Sequence, residues 1–234
     1  MNISHRDIFH VHTYRCGHAE NVPDECYIKK AIAAGASGIW FTDHVPFPGD
    51  PFGGRMKYSE LGEYLATLSE LKAKYAGIIN VHIGFETEYF PSFDSSGYYK
   101  ELKANPHVEL LLLGQHMAET SPDKYTFSWS YNKLDKEEYI VLGNAEIQGI
   151  RSGYFDVIAH PDRIFRRKTA WSADMQLMAE NIIHAAQDCK VLLEQNESSK
   201  RHLHHYWPEF WDIANGEVTV SGLDAHSLAE IYMT

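Results

Sequence analysis

The sequence predicts an α/β fold with a parallel sheet closed into a barrel, and three observations carry that expectation. Short apolar runs alternate with amphipathic stretches along the chain, the pattern of strands joined by right-handed helical crossovers. Seven runs read as strands, a number that suits one closed barrel better than an open sheet. The 234 residues are 44% hydrophobic and 13% aromatic, enough for one sizeable core and too apolar for a disordered chain. A doubly wound open sheet is the competing arrangement.

The predicted strands are IFHVH (8–12), GIWFTDH (38–44), INVHIGFE (79–86), VELLLLGQH (108–116), FDVIAH (155–160), KVLLEQN (190–196) and EVTVSG (217–222). Most are rich in β-branched residues, and Gly, Pro, Asn or Asp flank them. Between the first two, Asp24 is placed to cap a helix ending at Gly35. Within 58–75, Leu61, Tyr64, Leu65, Leu68, Leu71 and Tyr75 recur at helical spacing on one face, and 173–188 carries a similar period. Segments 45–57 and 117–135 read as long loops of lid type.

The chemistry lies where the strands end. His10 and His12 close the first, Asp43 and His44 the second, Glu86 the third, His116 the fourth and His160 the fifth; Asp224 and His226 follow the seventh. In a parallel barrel the carboxyl ends of all strands open onto one face, so these residues are expected to share a pocket. Residues i and i+2 of a strand face the same side, which would let His10 and His12 hold one ion. Imidazoles with a few carboxylates suit zinc, iron or manganese, and Glu86 could bridge two ions. His18, in the loop after the first strand, could reach a further one. His5, His82, His107 and His184 fall outside the pattern, and the run RHLHHYW (201–207) reads as a surface or substrate-facing loop.

Charge and composition narrow the partners. The formal net charge is −11, from 32 acidic and 21 basic side chains. A nucleic acid or an anionic membrane would be repelled, whereas a small anionic substrate can bind if bound cations reverse the local sign. Three cysteines without CxxC spacing point to a reducing compartment. The opening MNISHRDIFHVH has no signal-type apolar core, and no run approaches the roughly 18 residues of a membrane span. A cytoplasmic location is therefore expected. No Walker loop, GxSxG elbow, CxxxxxR thiol-phosphatase motif or DxDx[TV] run is present, so metal-activated water is the nucleophile that the residues support.

The motifs, read in order, resemble those of the PHP (polymerase and histidinol phosphatase) superfamily. HVH (10–12) matches its HxH opening and His18 the histidine that follows. FTDHVPFP (41–48), GFETEY (84–89), GQHM (114–117), DVIAHPDRI (156–164) and GLDAHS (222–227) match its later elements. The resemblance implies one PHP domain over 1–234, a distorted (β/α)7 TIM-like barrel and three divalent ions. It assigns His10, His12, Glu86 and Asp224 to the first ion, Glu86, His116 and His160 to the second, and His18, His44 and His226 to the third.

CGHA, VPFP and HPDRI are similar to the histidinol-phosphate phosphatase branch, and LEQNESSKR (193–201) resembles that branch's LEINTSGLR. Arg163 and Arg201 then become a phosphate clamp, since a guanidinium fork matches phosphate oxygens. Asp224 and His226 are candidates to protonate the leaving alkoxide. The implied activity is hydrolysis of L-histidinol phosphate to L-histidinol and phosphate, a step of histidine biosynthesis. A phosphoesterase for another small ester or a nucleotide, and a non-catalytic metal-binding module, are the alternatives. Three departures bear on specificity and barrel closure. LDAH stands for SDAH, NESSK for NTSGL, and the chain stops eight residues after His226, where the family generally continues through a last helix.

Overall fold

The computed structural model describes residues 3–122, 124–129, 138–215 and 219–233. The strands are β1 (Asp7–Val11), β2 (Gly38–Phe41), β3 (Asn80–Thr87), β4 (Leu110–Leu113), β5 (Met117–Ser121), β6 (Lys124–Phe127), β7 (Val157–Ile158), β8 (Leu192–Asn196) and β9 (Thr219–Gly222). The helices are α1 (Asp24–Ala33), α2 (Leu61–Lys74), α3 (Pro91–Ser95), α4 (Tyr98–Ala104), α5 (Glu138–Ser152), α6 (Ala173–Cys189), α7 (Glu197–Lys200) and α8 (Pro208–Ile213). The chain divides into two compact units, one of Met1–Glu86, Ala104–Leu111 and Ser221–Thr234, the other of Thr87–Lys103 and Leu112–Val220.

In the first unit β1, β2 and β3 pair in parallel, with Asp7 opposite Gly38 and Gly38 opposite Asn80. The Glu109 amide donates to Ile83 O on one side, and the Leu223 amide donates to Phe9 O on the other. The strands are buried on both faces, which explains why they read as continuous apolar runs and not as alternating ones. Ile8, Ile39, Phe41, Val81, Ile83 and Phe85 form the centre of this core. α2 buries Tyr64, Leu65 and Leu68, the stripe its spacing predicts.

In the second unit β4, β7 and β8 pair in parallel through Leu112–Val157–Leu192 and Leu113–Ile158–Leu193. α6 begins where Ser172 accepts a hydrogen bond from the Met175 amide, and it ends at Lys190 in the left-handed region. Across the chain the parallel strands follow the order β1-β2-β3-β4-β7-β8-β9. A doubly wound sheet reverses its order at a switch point, and this one never does. The order is that of the α/β (β/α)7 barrel expected from the sequence.

Two local expectations need correction. Asp24 does not cap α1: Pro23 occupies that position, and the Asp24 carboxylate instead accepts from Arg15 at 2.8 and 2.9 Å. Residues 117–121 and 124–127 are not loop, because β5 and β6 pair antiparallel there. These strands, MAETS and KYTF, are mostly polar and so give no apolar-run signal. α5 has no counterpart among the predicted helices; it buries Tyr139, Leu142, Ala145 and Ile150. Residues 123 and 130–135 of the expected lid and 217–218 of the last expected strand lie outside the described residues.

Candidate metal centre

In the first unit, β1 carries one extra residue against β2: Ile8 faces Ile39 while Val11 already faces Phe41. His10 sits at this bulge with φ 66°. His10 and His12 therefore reach one place through a bulge, not through the plain strand alternation that the sequence suggested. Both are fully buried. His44 follows β2 and is bridged in parallel to Glu86 on β3. Asp224, with φ 52°, lies just before the Ala225 bridge to Val11. Left-handed backbone at a non-glycine residue costs about 1–3 kcal/mol and persists only where the surroundings fix it, often at functional sites.

These side chains present their donor atoms to one another. His10 Nε2 is 3.4 Å from Glu86 Oε2 and 3.6 Å from Asp224 Oδ1; His12 Nε2 is 3.4 and 3.3 Å from the same two oxygens. Donors about 2.0–2.1 Å from a tetrahedral zinc stand roughly 3.3–3.4 Å apart; three of these four separations match such edges, and the fourth, at 3.6 Å, is slightly longer. Burial, with His226 nearby, pushes the His12 imidazole down to about 3. It is thus neutral near pH 7, and neither of its ring nitrogens has a hydrogen-bond partner. A neutral, buried imidazole aimed at two carboxylates is a ligand arrangement, and it fits a divalent cation.

A second group stands beside it in the same unit. His18, His44 and His226 each bring one ring nitrogen within 4.8 Å of the others. His18 Nδ1 bonds Cys16 O at 2.9 Å, and His226 Nδ1 bonds Asp224 O at 3.0 Å. Holding Nδ1 as the donor fixes the tautomer that leaves Nε2 as a lone pair for a metal. The buried Nε2 of His226 has no hydrogen-bond partner. Cys16 Sγ also lies within reach of His12 and His226, but burial raises the thiol to about 11, and a protonated thiol is a poor ligand. Asp43, a strand-end candidate, instead accepts the Thr13 amide at 2.8 Å and serves as scaffold.

The second unit places His116 and His160 with ring centroids 4.8 Å apart. They line a small cleft with Gln115, Ser128, Glu146 and Arg163. Arg163 Nε donates to Ser199 Oγ at 3.0 Å, and one terminal nitrogen donates to Asn196 Oδ1 at 3.0 Å and to Ser199 Oγ at 2.8 Å. Arg201 is exposed at the end of α7 in the loop that begins at Asn196. The structure so gathers seven of the nine expected ligands in the first unit, and the other two with Arg163 in the second.

One positioning residue escaped the sequence reading. Glu194 on β8, fully buried, accepts the His160 amide at 3.1 Å and Asn196 Nδ2 at 3.0 Å, and so holds His160 at its φ of 34°. The available signal was two polar residues, Glu194 and Asn196, two apart on one strand face. Four of the histidines set aside make contacts of their own. His82 stacks on Trp40 at 3.9 Å and pairs with Glu109, and His107 contacts Ser69 Oγ at 2.9 Å. His202 and His205 pair as neighbouring rings in the turn before α8.

Comparison with known proteins agrees with this geometry. The PHP domain family model matches residues 9–198. A Deinococcus radiodurans protein named a probable histidinol-phosphatase is 31% identical over 162 residues, 65% of this chain and 59% of its own length. Histidinol-phosphatase of Bacillus subtilis is 28% identical over 156 residues, 62% of this chain and 56% of its own. The matched region thus spans somewhat over half of each relative. Two solved structures at 18% identity share the fold. A candidate histidinol phosphatase from Listeria monocytogenes has a TM-score of 0.77, over 96% of this chain and 97% of that one. Histidinol phosphate phosphatase of Lactococcus lactis, solved with zinc, L-histidinol and phosphate, has a TM-score of 0.73 over 95% and 86%. With the family model covering most of its length and the motifs in family order, the chain belongs to the PHP domain family.

Proposed function

We propose that the chain is a metal-dependent phosphomonoesterase that converts L-histidinol phosphate and water to L-histidinol and phosphate. The observation that carries this reading is that two buried imidazoles face two carboxylates at 3.3–3.6 Å, close to the edges of a tetrahedral site, beside a second group of three imidazoles. The names of the curated relatives, and the L-histidinol and phosphate in the Lactococcus lactis structure, support the substrate. Residues 1–234 are read as one PHP domain, in line with the family model over 9–198.

His10, His12, His18, His44, Glu86, Asp224 and His226 would hold ions in the first unit, with His116 and His160 as the ligands of the second, three ions in all. Bound zinc, iron or manganese would activate water for in-line attack and neutralise the phosphoryl oxygens. His12, neutral and desolvated, keeps its lone pair near pH 7. Arg163, its fork braced by Ser199 and Asn196, and Arg201 orient the phosphate. Asp224 or His226 would relay to the leaving alkoxide the proton given up by the attacking water. The substrate is a small anion, compatible with a chain of net charge −11 whose site brings its own cations. We read the chain as cytoplasmic; its cysteines are free, and no described helix is long and apolar enough to cross a membrane.

The test is phosphate release by purified protein, as isolated and after manganese or zinc loading. L-histidinol phosphate is compared with a sugar phosphate and a dinucleotide. Selective turnover of histidinol phosphate, abolished by His12→Ala, is expected. Turnover of only the other esters would remove the substrate and leave the chemistry. No release from any ester by metal-loaded protein would turn the reading to a non-catalytic metal module.

A further inference from the structure

The loop between His12 and His18 is held by a buried arginine. Arg15, whose side chain is 2% exposed, lies in the one-turn helix Tyr14–Cys16. One of its terminal nitrogens reaches both carboxylate oxygens of Asp24, at 2.9 and 2.8 Å, and Thr13 Oγ1 at 3.2 Å. The other reaches Glu63 Oε1 on α2 at 3.0 Å. Asp24 is the first residue of α1, so the arginine ties this loop to two helices at once.

Each end of that tie leads to a candidate ligand of the second group. On one side, the carbonyl of Cys16, the residue after Arg15, fixes His18 Nδ1. On another, the Thr13 amide bonds Asp43, whose neighbour is His44. On a third, Tyr27 of α1 donates to His226 O at 3.3 Å, and the Glu20 amide, just before α1, donates to the same carbonyl at 2.7 Å. The three histidines thus stand on three chain segments that meet at Arg15 and α1.

We propose that Arg15, through Asp24, is a positioning residue for the ion held by His18, His44 and His226. The proposal rests on the metal-centre reading above. A guanidinium fork engages Asp24 and Thr13 through one terminal nitrogen and Glu63 through the other; an ammonium carries its three donors on a single nitrogen and cannot stand at both places. Loss of the fork frees the His18 loop to sample positions in which Nε2 no longer meets the other two imidazoles.

The experiment measures metal bound per chain by elemental analysis across a chelator titration, for wild type, Arg15→Lys, Asp24→Asn and, as reference, His18→Ala. His18→Ala marks which ion belongs to the group. Arg15→Lys is expected to weaken that ion roughly 10- to 100-fold while the ions that His18→Ala spares stay bound, the size of effect seen when the partner of a ligand is removed. Asp24→Asn should act in the same direction, and it decides the matter if Arg15→Lys does not fold. A second reading separates positioning from mere stability. Metal should raise the melting temperature of Arg15→Lys by less than it raises that of wild type. Variants that melt lower without metal, yet bind every ion as wild type does, would overturn the proposal. A wild type from which His18→Ala removes no ion would overturn the metal reading itself and this inference with it.

Discussion

At the scale of single residues, the proposed centre rests on side-chain chemistry: imidazoles and carboxylates are the donors that zinc, iron or manganese take. Imidazoles and carboxylates at the ends of six predicted strands could be named without coordinates, and the structure gathers seven of the nine expected ligands in one unit. What the residues did not reveal is how they are aimed. His10, His160 and Asp224 all adopt positive φ, and a backbone excursion of that kind leaves no mark on residue type. Glu194 was missed for a related reason: its role is to accept a backbone amide, which any acceptor on that face could do. Arg163 is the residue whose role is most exposed to test. Arg163→Lys should raise KM for the phosphate ester about 10- to 100-fold, the loss of roughly 1.5–3 kcal/mol of charge-assisted hydrogen bonding. Bound metal should be unchanged, and steady-state kinetics with metal analysis checks both.

At the scale of elements, apolar runs located the seven parallel strands, and helical spacing located α2 and α6, because both signals come from burial. The β5–β6 hairpin and the caps depend on backbone hydrogen bonding, which composition reflects weakly; Asp24 looked like a cap and proved to be an ion-pair partner. Two predictions belong here. A Cβ on Gly84 of β3 would lie 2.8 Å from the carbonyl oxygen of Leu110, so Gly84→Ala must push two paired strands apart. It should cost about 1–3 kcal/mol in denaturant unfolding, and, two residues from Glu86, it should weaken metal binding too. The other concerns pH. Burial raises the Glu109 carboxyl, but hydrogen bonds from His82, Lys72 and the Ile83 amide outweigh it and hold the group down at about 2. A depressed carboxyl stabilises the fold fully above its ordinary value near 4.5 and loses that contribution as pH falls toward 2. Glu109→Gln should therefore lower stability at neutral pH and flatten the unfolding profile between those limits. A variant profile parallel to wild type would contradict this.

At the scale of the whole chain, the account joins an acidic protein to an anionic ester. The −11 net charge disfavours a polymeric phosphate, and the buried, neutral His12 imidazole beside two carboxylates suits a cation that a small phosphate can then meet. The order of the strands was legible as a repeated alternation, since a monotonic sequence of parallel strands follows from short right-handed crossovers. The division of the contacts into two compact units was not, because it depends on packing between distant segments. The central claim is that the clustered histidines and carboxylates are a metal centre. Anomalous diffraction from a crystal of the manganese- or zinc-loaded protein tests it most directly. The account predicts one peak enclosed by His10, His12, Glu86 and Asp224 and another among the ring nitrogens of His18, His44 and His226. Loaded crystals with no peak at either place, or with ions only at surface groups such as His202 and His205, would contradict it.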